Sequence, residues 1–169
     1  MDRSRQLDFC GKSRHGASDK NRIDLKFMRW LLLDEIIKIE KGKVAETRSH
    51  VPHCEFSPEP LLIEMMAQTA GLLLGLENDY EKDLIFAKIE SAEFKGPFNS
   101  GNSLWIEATS EALKPEGAWL ECVIQTNGEE VARARLLLMS VERLLPEQKK
   151  SITFHETFMS RFQVLSKVQ

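Results

Sequence analysis

The chain has 169 residues, 42% of them apolar and 29% charged, with a net charge of −3. That length allows one good core and is too short for two comfortable domains. The balance of charge excludes a nucleic-acid footprint or a membrane-surface patch spread over the whole chain.

The cysteines, Cys10, Cys54 and Cys122, are odd in number and lack metal-ligand spacing, and no secretory apolar region opens the sequence. A reduced cytoplasmic protein fits. His50, His53 and Cys54 lie close together, but no second cluster of ligating residues would close a coordination sphere, so no metal is expected.

Residues 1–22 are polar, charged and glycine-containing, the composition of a flexible tail. Order starts at residues 23–40, IDLKFMRWLLLDEIIKIE, rich in β-branched and large apolar side chains. A turn at Gly42 leads into VAETRSHV, residues 44–51, which reads as a strand returning along the first. The early part of 23–40 is equally compatible with a short helix. The loop 52–60, PHCEFSPEP, is punctuated by prolines; Pro60 suits the first turn of a helix, which Ser57 or Glu59 could cap.

Residues 60–76, PLLIEMMAQTAGLLLGL, are almost wholly apolar and carry one acid, Glu64, and one amide, Gln68. A segment apolar on every side is surrounded by protein or by lipid. A bilayer span takes roughly 20 apolar residues, and this run is shorter and holds a carboxylate near its start. Burial in protein follows. Glu64 and Gln68 then stand one turn apart on one face, and a desolvated Glu64 has its pKa raised. Gln68 also reads as a buried amide satisfied by backbone groups.

After the polar break 77–83, residues 84–98 read as a long strand with a bend near Gly96-Pro97. Strands follow over 103–113, 118–126 and 129–144, the last two joined by Asn127-Gly128, a strong hairpin signal. Arg133 and Arg135 alternate with Ala132 and Ala134, which puts both guanidinium groups on one face. That face is either simply solvated or a small cationic patch. Phe154, Phe158, Phe162 and Leu165 recur at helical spacing, predicting an amphipathic terminal helix. No phosphate-binding glycine loop, Ser-His-Asp order or zinc-protease motif is present.

Two strands, one buried helix and four further strands, nearly all antiparallel, make an α+β unit in which a curved sheet wraps the helix. The texts LLIEMMAQTAGLLL, FAKIESAEFKGPFNSGN and LLLDEIIKIEKGKV resemble the β-hydroxyacyl-acyl-carrier-protein dehydratase family, whose fold is the hotdog. The resemblance runs over roughly residues 25–142. It implies a hotdog domain over 23–145 with a C-terminal helical extension over 146–169.

The resemblance also implies chemistry. In that family a His acts as base on the α-proton of a 3-hydroxyacyl thioester, an acid protonates the departing hydroxyl, and a backbone N–H polarises the thioester carbonyl. No metal or other cofactor is involved. The His and the acid meet across a subunit boundary. Glu64 matches the acid. The family His stands fourteen residues ahead of it, which without gaps falls on His50, and the carbonyl donor then falls on the N–H of Glu59. Gln68 completes the substrate-binding set. Anchoring on the Gly42 turn instead makes 44–51 the whole second strand and shortens the His loop by about ten residues. His50 is then a strand residue, and the base is lost unless His53 reaches the partner subunit's Glu64.

Three functions compete. The first is a dehydratase using His50 and Glu64 on thioesters of acyl-carrier protein or coenzyme A. The second is a hotdog thioesterase that needs Glu64 alone. The third is a non-catalytic acyl-thioester-binding homologue, with Arg133, Arg135, Lys88 and Lys95 nearest to hand for an acidic carrier. All imply a homodimer, a dimer of dimers or a higher assembly, because a partner must close the sheet edge and the tunnel. No nucleic acid or membrane is implied.

Overall fold

The computed structural model describes residues 31–110, 112–142, 151, 153–154 and 156–169. The expected tail, residues 1–22, lies outside them, as do residues 23–30. Six strands form one sheet: β1 (Glu35–Glu40), β2 (Val44–His50), β3 (Asp83–Phe94), β4 (Ser103–Thr109), β5 (Gly117–Thr126) and β6 (Glu129–Val141). The helix α1 (Glu59–Leu76) stands between β2 and β3 in the chain, and α2 (Glu156–Phe162) follows the sheet. The sheet order is β1-β2-β4-β5-β6-β3. Every neighbouring pair is antiparallel.

This is the expected α+β wrap. Alternation decides which side of each strand meets the helix. On β2, Ala45, Thr47 and Ser49 are buried, while Arg48 and His50 are exposed on the other face. On β4 and β5, Leu104, Ile106 and Ala108 and then Leu120, Cys122 and Ile124 face inward. Leu62, Met65, Met66, Leu72, Leu73 and Leu74 of α1 fill the concave side, each at most 1% exposed. At roughly 25 cal/mol per Å² of apolar surface removed from water, this helix is the largest single contribution to the core.

Elements end for local reasons. Asn127 and Gly128 both take positive φ, at 52° and 82°. That is the backbone a two-residue hairpin requires, and Asn and Gly adopt it at least cost. Helix α1 is capped by Pro58, whose carbonyl accepts from the N–H groups of Leu61 and Leu62 at 2.9 and 3.0 Å. Neither Ser57 nor Glu59 caps it: the Ser57 hydroxyl donates to the Glu59 carboxylate instead.

The C-terminal segment departs from one continuous helix. Gln163 has φ 49°, α2 stops at Phe162, and a 3-10 turn covers Val164–Lys167. The predicted stripe is therefore split. Phe154 and Phe162 are buried, whereas Leu165, turned away by the break, is 71% exposed.

Phe154 sits edge-on to Tyr80, ring centres 4.9 Å apart, over the end of α1. The buried Asp83 carboxylate accepts from the Ser151 hydroxyl at 2.6 Å and the Thr153 N–H at 3.2 Å, tying this segment to the start of β3. The segment ends by pairing with β1, where the Gln169 N–H donates to the Ile39 carbonyl at 2.9 Å.

The two edges of the sheet thus differ. β1 is partly covered by the chain's own C-terminus. β3 pairs with β6 on one side; among the described residues no strand pairs with the other, where the Leu84 N–H at its start donates to the Thr153 hydroxyl at 3.1 Å. Ile85, Phe86 and Ile89 on that strand are 38%, 39% and 47% exposed.

The outer face carries Arg133 and Arg135 side by side, as alternation predicts, and both are paired. Arg133 bonds to Glu130, and Arg135 to Glu90 at 2.9 Å and to Glu121 at 3.1 Å. Lys95 joins Glu130 at 2.8 Å. The Glu130 carboxyl is accordingly held down to about 2 by Arg133 and then Lys95. Arg135 and Lys88 flank the Trp119 ring, and Arg48 lies over Trp105 at 5.2 Å. Each of these cations is engaged with a carboxylate or a ring of its own sheet.

Candidate functional site

The chemistry-bearing residues gather where α1 begins. Glu64 lies one turn inside the helix and is half-buried. Burial pushes its carboxyl above the ordinary carboxylate value of 4.5, and the Gln68 amide pulls it partway back. Desolvation wins because one neutral donor offsets only part of the solvation a carboxylate loses.

Gln68 Nε2 donates to Glu64 Oε1 at 2.9 Å. The orientation of that amide is set from its other end, where the Leu32 N–H donates to Gln68 Oε1 at 3.0 Å. The expectation that backbone groups satisfy Gln68 and the expectation that it faces Glu64 are both met by one side chain.

A second polar tie runs beside the first. Thr47 Oγ1 of β2 meets Thr69 Oγ1 of α1 at 2.8 Å, and Thr69 Oγ1 donates to the Met65 carbonyl at 2.9 Å. Thr47 is therefore the donor within the hydroxyl pair. Among the described residues, no buried side-chain nitrogen or oxygen lacks a hydrogen-bond partner.

His50 is the last residue of β2, paired with Ser103 of β4. The second strand thus takes up the whole of 44–50, as the turn-anchored reading has it. Alternation turns His50 to the outer face, away from the α1 side that Ser49 occupies. Its Nδ1 lies 2.8 Å from Asp34 Oδ2, with the two side chains 58% and 55% exposed. His50 and Glu64 of one chain are on opposite sides of the sheet.

His53 stands exposed on the connection between β2 and α1, along with Phe56, which is 55% exposed. Glu59 opens α1, and its carboxyl is lowered first by the Ser57 hydroxyl and then by its own backbone N–H. Pro60 has no N–H, and those of Leu61 and Leu62 are spent on Pro58. The Glu59 N–H is thus the one in this turn that could be turned to a ligand, once its own carboxylate swings aside.

Sequence reasoning passed over Leu32 and Ser49. A strand face packed on an apolar helix yet reading Ala45, Thr47, Ser49 is unusually polar, and that was the available signal. Among the described residues, no group of His, Cys, Asp and Glu could hold a metal ion, and no helix is long and apolar enough to cross a membrane.

Comparison with known proteins adds an independent line. No family model matches the chain. A 3-hydroxyacyl-[acyl-carrier-protein] dehydratase FabZ from Polaromonas sp. is 35% identical over 99 residues, 50% of this chain and 68% of the relative. One from Hydrogenobaculum sp. is 33% identical over 135 residues, 71% of this chain and 89% of the relative.

Among solved structures, the dehydratase heterocomplex ApeI:P from Xenorhabdus doucetiae superposes with a TM-score of 0.57 at 18% identity, over 67% of this chain and 84% of that one. Smu.793 from Streptococcus mutans, bound to acetyl CoA, gives 0.52 at 14% identity, over 64% and 88%. At such identities these structures speak for the hotdog fold alone.

Proposed function

The chain belongs to the 3-hydroxyacyl-[acyl-carrier-protein] dehydratase FabZ family, and from that premise we propose that it eliminates water from 3-hydroxyacyl thioesters in acyl-chain metabolism. The observation that carries the reading is Glu64, a carboxyl kept on the buried helix with its pKa raised and an oriented amide beside it. A carboxyl of that kind is poised to protonate a departing hydroxyl. The Glu59 N–H is the donor for the thioester carbonyl, and Gln68 holds the acid.

The base is an imidazole delivered from a second subunit across the open edge of β3. Two candidates stand on the 49–58 segment, His50 and His53. Strand alternation and the Asp34 contact favour a supporting role for His50, while the exposure of His53 on the connecting loop favours it as the group that travels. The outer edge of β3, which no described strand pairs, and its exposed Ile85, Phe86 and Ile89 support a dimer. The acyl group arrives on acyl-carrier protein or coenzyme A, and the protein works in the cytoplasm.

The assay is hydration of an enoyl thioester, offered on each carrier, by the purified chain. Glu64→Gln is expected to abolish turnover, and of His50→Ala and His53→Ala the one that abolishes it identifies the base. Full activity in Glu64→Gln would overturn the reading. A thioesterase is the second reading, favoured by the turn of His50 to the outer face of the sheet, away from Glu64. Release of free thiol by a double His50→Ala, His53→Ala variant would select it.

A further inference from the structure

Apolar packing holds α1 against the sheet but is indifferent to small slides and rotations, so something directional must fix where Glu64 points. Three hydrogen bonds run in series from β2 to the carboxylate. The Ser49 hydroxyl donates to the Leu32 carbonyl, the Leu32 N–H donates to Gln68 Oε1 at 3.0 Å, and Gln68 Nε2 donates to Glu64 Oε1 at 2.9 Å. Ser49 is 2% exposed. Its hydroxyl has a fixed direction because Ser49 is locked between strands, its register partner being Leu104.

We propose that Ser49 is a positioning residue for Glu64, acting through Leu32 and Gln68. Leu32 belongs to the segment that precedes β1, and among the described residues that segment has no ladder partner. It is held to β2 at two further points, the Asp34 N–H on the Arg48 carbonyl at 3.0 Å and Asp34 Oδ2 on His50 Nδ1. These set the height of the segment, and Ser49 sets the Leu32 residue itself.

With Leu32 fixed, the oxygen of the Gln68 amide is committed to the Leu32 N–H. Its NH2 must then face Glu64, because an amide cannot present oxygen to both. If Leu32 relaxes, this hold on the amide oxygen is lost, and the donation of Gln68 Nε2 to the carboxyl weakens with it. A displacement of about 1 Å at a reacting group can cost up to about a hundredfold in rate.

This inference rests on the dehydratase reading for its kinetic consequence and on geometry alone for the relay, so the experiment separates the two. Ser49→Thr and Ser49→Val have nearly the same volume and differ in the hydroxyl, with Ser49→Ala as a smaller control. The side-chain amide resonances of Gln68 are assigned by their loss in Gln68→Met. They are expected to stay near the wild-type position in Ser49→Thr and to shift away from it in Ser49→Val and Ser49→Ala. Enoyl thioester hydration is expected to lose about tenfold in kcat at nearly constant KM in the Val and Ala variants, and to be retained in the Thr variant.

Unmoved Gln68 resonances in both Val and Ala variants would overturn the proposal, as would a Thr variant that behaves like Val. Should the wild-type chain hydrate nothing, the dehydratase reading falls, while the resonances still decide the relay.

Discussion

The amide of Gln68 donates to the carboxylate of Glu64 across one helical turn, at 2.9 Å, on a helix otherwise packed in apolar side chains. One neutral hydrogen bond does not repay the burial of a carboxylate, and the Glu64 pKa is raised with desolvation as the larger cause. This imbalance gives Glu64 a readable effect on stability.

A carboxyl whose folded-state pKa lies above its unfolded value binds its proton more tightly when folded. Ionised Glu64 therefore opposes folding, by an amount that is absent well below 4.5 and grows as pH rises through the folded pKa. Glu64→Gln removes the charge and keeps an acceptor for Gln68. The variant is expected to melt higher than wild type at neutral pH, with the difference closing as the pH drops below 4.5. Thermal melts across that range check it, and a gap independent of pH would contradict it.

The hydroxyl pair between β2 and α1 predicts an asymmetry. Thr69 donates to the Met65 carbonyl, so Thr47 must donate to Thr69. Thr69→Val strands the Thr47 hydroxyl at a site with 0% exposure, a loss of about 1–3 kcal/mol. Thr47→Val leaves the Thr69 donor satisfied and should cost about 1 kcal/mol or less. Denaturant melts of the two variants test the order.

Gly75 is a contact point rather than a flexible joint. A Cβ there would lie 2.5 Å from the Phe154 ring and 2.7 Å from that of Tyr80, and the two rings brace each other. Gly75→Ala is expected to destabilise by about 1–3 kcal/mol despite the better helix propensity of alanine. In a Phe154→Ala background the same change should cost less. Equal costs in the two backgrounds would show that the rings yield freely.

The open edge of β3 predicts a change of assembly. Ile89→Glu puts a charge in the middle of the exposed apolar strand. Sedimentation should show a dimer for the wild type and a folded monomer for the variant, with enoyl hydration lost in step. A variant that stays dimeric would place the interface elsewhere.

Much of the architecture was legible in the chain itself. Residues 60–76 are apolar on every side and open with a proline, so a buried helix was the sole economical reading, and it was found within one residue. The Asn127-Gly128 turn and the period-two pattern of β4, β5 and β6 fixed three strands because local backbone chemistry and side-chain alternation are properties of neighbouring residues. Glu64 stood out for the same reason: one acid in an apolar run is visible without coordinates. The C-terminal stripe was misjudged past Phe162, since the left-handed Gln163 that ends the helix carries no glycine or proline to announce it.

What the tertiary structure alone decided is pairing at long range. Whether His50 faces Glu64 depends on one residue of strand register, and β2, running to its end, turns that ring to the outer face beside Asp34. That Arg133 and Arg135 are neutralised by Glu130, Glu90 and Glu121 depends on which strands are neighbours. The line from Ser49 through Leu32 and Gln68 to Glu64 joins a strand, a segment before β1 and a helix. A hydrogen bond requires its atoms to lie within about 3 Å, and no local pattern in the sequence encodes that closeness between residues far apart in the chain.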